Sequence, residues 1–411
     1  MSLRLLRTAA MAGALLPAAW AVAAPLTLDQ AMGLAVQRSS MARAARAGAQ
    51  GAAEMARAAG QQPDPVLSAG IDNLPVAGAD RFSTTADGMT MKRIGVAQEW
   101  VSADKRAVRE ATATAVADRE RAMAQVAAAD TRLQTALAYL DAYYAGEALK
   151  LMRLTEHHAH EELEAGRGRL ATPAGSGAEV LALTSSLGMA EDESEETRQQ
   201  QAAAEAALQR WVGVAVAELS APPQLGKPTP TQFVSLHPTV IVKQRELDLA
   251  RQELATARLN RRPNWTWALS YGQRTGFPDM VSFGVSIPLT VAPAARQDRE
   301  TAAKQALVDQ AAAELDEAQR AAAGEYAALA SDAERLQART DRYRTAVLVP
   351  AQQRSATALA AYGSNQASLM MLFEARHAEV QAQRKLLTLE RDLAKTMAQL
   401  NFKPMGAGVE P

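Results

Sequence analysis

Residues 264 to 290, NWTWALSYGQRTGFPDMVSFGVSIPLT, decide the fold because they break a rule that most of the chain keeps. Elsewhere apolar residues recur at helical spacing; here they alternate. Trp265, Trp267, Leu269 and Tyr271 fall on one side of an extended chain, with Asn264, Thr266, Ala268, Ser270 and Gly272 on the other. After a turn at Thr275-Gly276-Phe277-Pro278-Asp279, Val281, Phe283, Val285, Ile287 and Leu289 alternate with Ser282, Gly284 and Ser286. Period-two alternation on both sides of a Gly/Pro turn predicts a β-hairpin with one apolar face.

The surrounding composition suits long, closely packed helices. Of 411 residues 48% are hydrophobic but only 4% aromatic, so the apolar content is mostly small and aliphatic. With 44 basic and 45 acidic residues the net charge is -1, which offers no global basic surface to a nucleic-acid backbone. There is no cysteine. This excludes disulfides, thiolate metal sites, cysteine nucleophiles and a lipid carried on an N-terminal cysteine.

Arg4 and Arg7 precede an apolar run from Thr8 to Val22, and Ala21-Val22-Ala23 is a small-x-small cleavage pattern, so residues 1–23 are expected to be a signal peptide. The run is shorter than the about 20 residues a spanning helix needs. No later segment is long and apolar enough either, so entry into a membrane requires strands.

Thr27-Leu28-Asp29-Gln30 is a capping-box pattern, from which a helix is expected to run to about Gly60. Pro63 and Pro65 end it, and extended segments follow in QQPDPVLSAGIDNLP and in MTMKRIGVAQEW, residues 89–100. Helix resumes at Asp104 and runs to about Ala165, a rod of roughly 90 Å at about 1.5 Å per residue. GRGRLATPAGSG, residues 166–177, is a turn by its glycines and Pro173, and a helix returns from about Ala178 to Val212.

From His237 the order repeats: a helix to RRPNW, the hairpin, a long helix from Ala294 to Ala361, the turn YGSNQAS, and a return to Leu400. RIGVAQEWVSADKRAVRE aligns with SFGVSIPLTVAPAARQDRE, and AGRGRLATPAGSGAEVLAL with AYGSNQASLMMLFEA. The expected organisation is a first repeat over 24–217, a Pro-rich, non-helical linker over 218–236, a second repeat over 237–402 and a flexible tail over 403–411. The fold class is mainly α with a small β part. Each repeat supplies one long helical hairpin and two strands. Lipid tolerates no open sheet edge, and membrane barrels need about eight strands or more. Four strands per chain therefore imply a shared barrel, with the helical hairpins side by side in a tube.

The signal sequence, the duplication, the YGSNQASLMML turn and the GIDNLP to GVAQEW region resemble the TolC-like outer-membrane factor family, over about Leu26 to Leu400. IDNLPVAG and MTMKRIGVAQE are most similar to outer-membrane components of heavy-metal efflux systems. The resemblance implies a homotrimer with a twelve-stranded barrel in the outer membrane and an α-barrel projecting into the periplasm. It further implies an exit duct for metal cations, coupled through a periplasmic adaptor, or membrane fusion protein, to an inner-membrane RND pump. Many relatives carry a lipidated N-terminal cysteine; this chain has none, so its anchoring rests on the barrel.

Trp265, Trp267, Phe283 and Val285 are expected to face lipid. The two turns would form a ring of tips, placing Gly168, Leu170, Thr172, Gly363 and Ser368 at an adaptor-docking surface and Glu179 and Glu374 at the narrowed entrance; the bland reading is tight turns that need glycine. No metal site is assigned. In HHAHEELE, His157 and His160 lie at i, i+3 with Glu161 beside them, a geometry open to a transition metal or simply a solvated face. Met89, Met91, Met370 and Met371 are soft donors or packing residues. EDESEE, residues 191–196, is a solvated face or a cation-attracting stretch. Pro350 should kink the second long helix.

No nucleophile elbow, phosphate loop or zinc-protease helix is present, so no catalytic residue or cofactor is expected and the chain does not read as an enzyme. A drug-efflux or type I secretion duct remains an alternative. So does a periplasmic coiled-coil adaptor, although the duplication argues against it, and so does a soluble scaffold, although that leaves the hairpin unexplained.

Overall fold

The structure, a computed structural model, describes residues 25–170, 176–215 and 218–405. The signal-peptide assignment lies outside these residues, as does Thr172.

The chain opens with α1 (Leu28–Arg38), started by the Thr27–Gln30 capping box, and α2 (Ser40–Ala59). The single helix expected to Gly60 is broken at Ser39, which leaves helical geometry and accepts a hydrogen bond from the Ala42 amide, capping α2. Strands β1 (Val66–Asp72) and β2 (Met91–Trp100) follow. Next comes α3 (Ala103–Arg169), whose 67 residues make a rod of about 100 Å. The return helix α4 (Gly177–Val212) stops at Gly213, which takes a left-handed φ of 77° as a helix terminator.

The linker is not wholly non-helical. Thr229 and Gln232 form a second capping box, and Pro230 sits at the first position of α5 (Pro230–Ser235), where its missing N–H has no helical partner to lose. Beyond it lie α6 (Pro238–Leu259), β3 (Trp265–Arg274), β4 (Met280–Ser286), α7 (Gln297–Arg342), α8 (Val349–Gly363) and α9 (Leu369–Phe402). Between α7 and α8, Tyr343–Leu348 form one π turn. Pro350 follows one residue after it, and its ring would clash with the Ala346 carbonyl in a regular α-helix; the wider turn relieves this. The segment assigned to the tail begins well tied: Met405 is buried and its amide donates to the Leu236 carbonyl at 2.7 Å.

The four strands form one antiparallel sheet in the order β1-β2-β3-β4. β2 and β3 join the halves of the chain in a ten-residue register from Met91↔Arg274 to Trp100↔Trp265. β4 ends at Ser286, so Ile287 and Leu289, which continue the alternation in sequence, lie beyond the sheet and are exposed.

The buried core lies among the helices. Leu28, Met32, Tyr139, Leu140, Leu208 and Val212 pack α1, α3 and α4 together, with Ala398 of α9. Phe233, Tyr326 and Leu400 hold α5, α7 and α9. Tyr139 and Tyr326 also fasten the linker: the Tyr139 hydroxyl lies 2.7 Å from the carbonyls of both Leu26 and Ser220, and that of Tyr326 donates to Pro228 at 2.8 Å. Alanines 136, 142, 318, 322 and 398 are buried where helices meet.

Candidate functional site

Two places stand out: the sheet at one end of the chain's long helices, and the helical tips at the other.

Register assigns every strand residue to a face. One face carries Leu67 and Ile71 of β1, Ile94, Val96 and Trp100 of β2, Trp265, Trp267, Leu269 and Tyr271 of β3, and Val281, Phe283 and Val285 of β4. These large apolar groups are not covered: Leu67 is 70% exposed, Val281 71% and Phe283 69%. An uncovered apolar sheet of this size calls for an apolar surround. The opposite face is small and polar, with the rows Ser68, Gly95, Ser270, Ser282 and Val66, Ala97, Ala268, Gly284. Trp265, Trp267, Phe283 and Val285 thus share one face, apart from Ser282 and Ser286.

Charges gather at the ends of the small-residue face. At the helix end, Asn264 donates to Glu99 at 2.7 Å and accepts from Lys105 at 2.8 Å. At the loop end, Arg93 pairs with Asp72 at 3.2 Å, and the Arg274 guanidinium lies 5.2 Å from the Phe277 ring centre. Trp100 and Trp265 close the helix end of the apolar face, their rings 5.9 Å apart.

At the tips, Arg169 of α3 donates to Asn365 at 2.6 Å and stacks over Tyr362 of α8 at 4.7 Å. Tyr362 in turn donates to Glu179 of α4. Burial, then the Glu179 carboxylate, raises the Tyr362 pKa. These residues, with Ser368, Met370 and Phe373, line a cavity of about 360 Å³. Leu170 is half exposed. Ser368 accepts from the Met371 amide and so caps α9. Neither glycine is a turn residue in a left-handed conformation: Gly168 lies within α3 and Gly363 ends α8, while Asn365 takes the positive φ of 63°. Glu179 is held by Tyr362, and Glu374 lies 4.0 Å from Arg354.

His157 and His158 both lie 3.3 Å from Glu161; His160 does not join them. Among the described residues no three His, Cys, Asp or Glu side chains group as a metal site. Met89 and Met91 lie at the sheet, Met370 and Met371 at the start of α9, so the four methionines do not converge. In the acidic run Glu193 pairs with Arg384 at 3.2 Å and Glu195 with Arg198. Among the described residues no helix is long and apolar enough to cross a membrane.

Solved structures share this architecture. The outer membrane protein VceC from Vibrio cholerae matches with 19% identity and a TM-score of 0.75, over 93% of this chain and 97% of its own. The chain has the TolC-like outer-membrane channel fold. CusC, from a study of folding and transmembrane channel formation, matches with 14% identity and a TM-score of 0.77 over 92% of both chains. The open-state MtrE outer membrane channel of Neisseria gonorrhoeae matches with 15% identity and a TM-score of 0.70, over 92% of this chain and 89% of its own. No protein-family profile and no curated protein matches the sequence. In this channel fold the two places described above are the strand end and the tip end of a long helical assembly. Sequence reasoning missed the Arg169–Asn365 and Tyr362–Glu179 ties, which span distant positions and leave no local pattern.

Proposed function

We propose that the chain is one protomer of a trimeric exit duct in the outer membrane, delivering cargo from an inner-membrane RND pump and its periplasmic adaptor to the exterior. The observation that carries this is the sheet. Its outer strands β1 and β4 have free edges, its apolar face is bare, and four strands are fewer than the about eight that close a membrane barrel. With an even number of antiparallel strands, β4 of one copy runs antiparallel to β1 of the next, so copies join without a change of pattern. Three copies give twelve strands. The apolar face then meets lipid, the small-residue face lines the lumen, and the helices extend into the periplasm.

The tips carry the second part of the proposal. Leu170 and Ser368, with Gly168, Thr172 and Gly363, form the surface on which the adaptor docks, and Glu179 and Glu374 border the entrance. The cargo is read as heavy-metal cations on the resemblance of residues 71–78 and 89–99 alone; drug-like solutes or secreted proteins suit the same duct.

The test is fractionation followed by cross-linking. The protein should be recovered from outer membranes as a heat-resistant trimer, and Leu170→Asp with Ser368→Asp, which keeps a capping side chain on α9, should leave the trimer intact while abolishing adaptor cross-linking and efflux. Extraction without detergent would overturn the duct, and normal efflux by the variant would overturn docking at these tips.

A further inference from the structure

Two thioethers are brought together on the sheet's small-residue face, near its loop end. Met91 of β2 stands directly across from Arg274 of β3, and Gly272 of β3 directly across from Met280 of β4. Strand alternation puts all four on the face that carries Ser68, Gly95, Ser270 and Ser282. The Met91 sulfur lies over Gly272, so close that a Cβ at that position would collide with it. Gly272 thus leaves open the path by which the Met91 side chain crosses β3 toward β4. Directly opposed residues have Cβ positions about 4.5–5.5 Å apart, so the Met91 sulfur lies within one side chain's reach of Met280. Met280 is 43% exposed, and its three rotatable bonds let its own sulfur swing alongside. Most of the face beneath is Gly, Ser and Ala, and a pair of long thioethers there does not serve a buried core.

Net charge does not give this end of the sheet an ion preference. Arg81, Lys92, Arg93 and Arg274 are matched in number by Asp72, Asp80, Asp87 and Asp279. A site here selects by the type of its donors.

We infer that Met91 and Met280 form a two-thioether site for a soft monovalent cation, Ag+ or Cu+, at the loop end of the lumen. This deepens the metal-cation reading of the cargo and rests on the small-residue face lining the lumen. Thioether sulfur is neutral and polarizable, a poor ligand for hard ions such as Na+ and Mg2+ and a good one for soft monocations. Neither sulfur has a proton to lose, so binding does not depend on the acidity of the medium. With two neutral donors in place of thiolates the ion is held weakly and can leave, as passage through a duct requires. Each site is complete within one sheet, so a trimer carries three.

The test reads each methionine separately. The trimer in lipid nanodiscs, in chloride-free buffer, is treated with dilute hydrogen peroxide, and sulfoxide at each methionine is followed by peptide mass spectrometry. Silver nitrate is the probe. Coordination engages the sulfur lone pair, so oxidation of Met91 and Met280 should slow about tenfold when silver is at about ten times its dissociation constant. Met41 and Met55, each 71% exposed on α2, should oxidise at unchanged rates. Sodium or magnesium nitrate should protect neither pair. Met280→Leu, a change that conserves volume, should remove the protection of Met91. Protection of Met91 that survives Met280→Leu, or no protection in the wild type, would overturn the site while leaving the duct intact. The faces are read without silver, using the membrane-impermeant peroxymonosulfate anion, which should oxidise Met91 and Met280 but not Phe283→Met. Oxidation of Phe283→Met with Met91 and Met280 spared would overturn the lumen assignment and this inference with it.

Discussion

Tyr362, in the last turn of α8, donates its phenolic hydrogen to Glu179 in the first turn of α4, 183 positions away in sequence. With Arg169 stacked on the same ring, this bond ties the tip of one helical hairpin to the tip of the other. Tyr362→Phe removes the bond and keeps the stack. A hydrogen bond to a charged acceptor contributes about 1.5–3 kcal/mol at most, less at so open a site, so the expected result is faster amide exchange over Gly363–Ala367 with no change in global melting. Glu179→Gln should behave alike, and the double variant should add little further.

The apolar face gives a sharper contrast. Phe283→Arg or Val285→Arg should weaken heat-resistant trimers by about 2–4 kcal/mol near the bilayer midplane. Ser282→Arg and Ser286→Arg, on the opposite face, should be tolerated. Equal loss from both rows, measured on semi-denaturing gels, would remove the assignment of faces.

Tyr139 is fully buried and its hydroxyl serves two backbone carbonyls from segments that meet beside it. Tyr139→Phe should cost about 1–3 kcal/mol, the range for buried groups left unsatisfied. Burial pushes its pKa up to about 12 from 10.0. A raised folded-state pKa means the contribution is complete below pH 10 and is lost as pH rises toward 12. Denaturant titrations should show that alkaline loss in the wild type and a smaller one in Tyr139→Phe.

His237 responds at the other end of the pH range. It is buried beside Phe233, with Nε2 3.3 Å from Glu325, and burial lowers its pKa despite that carboxylate. Lys403, itself bound to Glu325, opposes a second positive charge there. A depressed histidine pKa gives stability that is complete above pH 6.5 and is lost as pH falls below it, because the unfolded chain binds the proton first. His237→Gln should reduce that acid-dependent loss in unfolding experiments.

The β-hairpin within 264–290 was legible because two faces of a strand that meet different surroundings, one apolar and one polar, impose period two, and Pro63, Pro65 and the glycine turns mark breaks with equal clarity. Ser39 was harder: a serine next to an apolar helix is ordinary until its hydroxyl is seen to cap the Ala42 amide. Thr229 and Gln232 repeat the capping signal of Thr27 and Gln30, yet four prolines in SAPPQLGKPTPTQF concealed it. Pro350 marked its position, but whether a helix bends or inserts a π turn depends on neighbouring packing, such as Arg344 reaching Glu390 at 2.8 Å. The Arg93–Asp72 ion pair emerges only when register brings β1 and β2 together.

The joining of β2 to β3 also sets an order of events during folding. Each strand pair flanking that seam closes locally, but Glu99 and Asn264, which meet at its helix end, are 165 positions apart. Closing a loop of that length is less favourable than closing the short β3–β4 turn by about 3 kcal/mol on chain-entropy grounds, unless the intervening helices have already folded back and shortened the gap. Assembly of the helical hairpins should therefore precede formation of the central seam. Until then, the newly made chain carries two separate hairpins with exposed apolar faces, and this is the period in which it is most prone to aggregate.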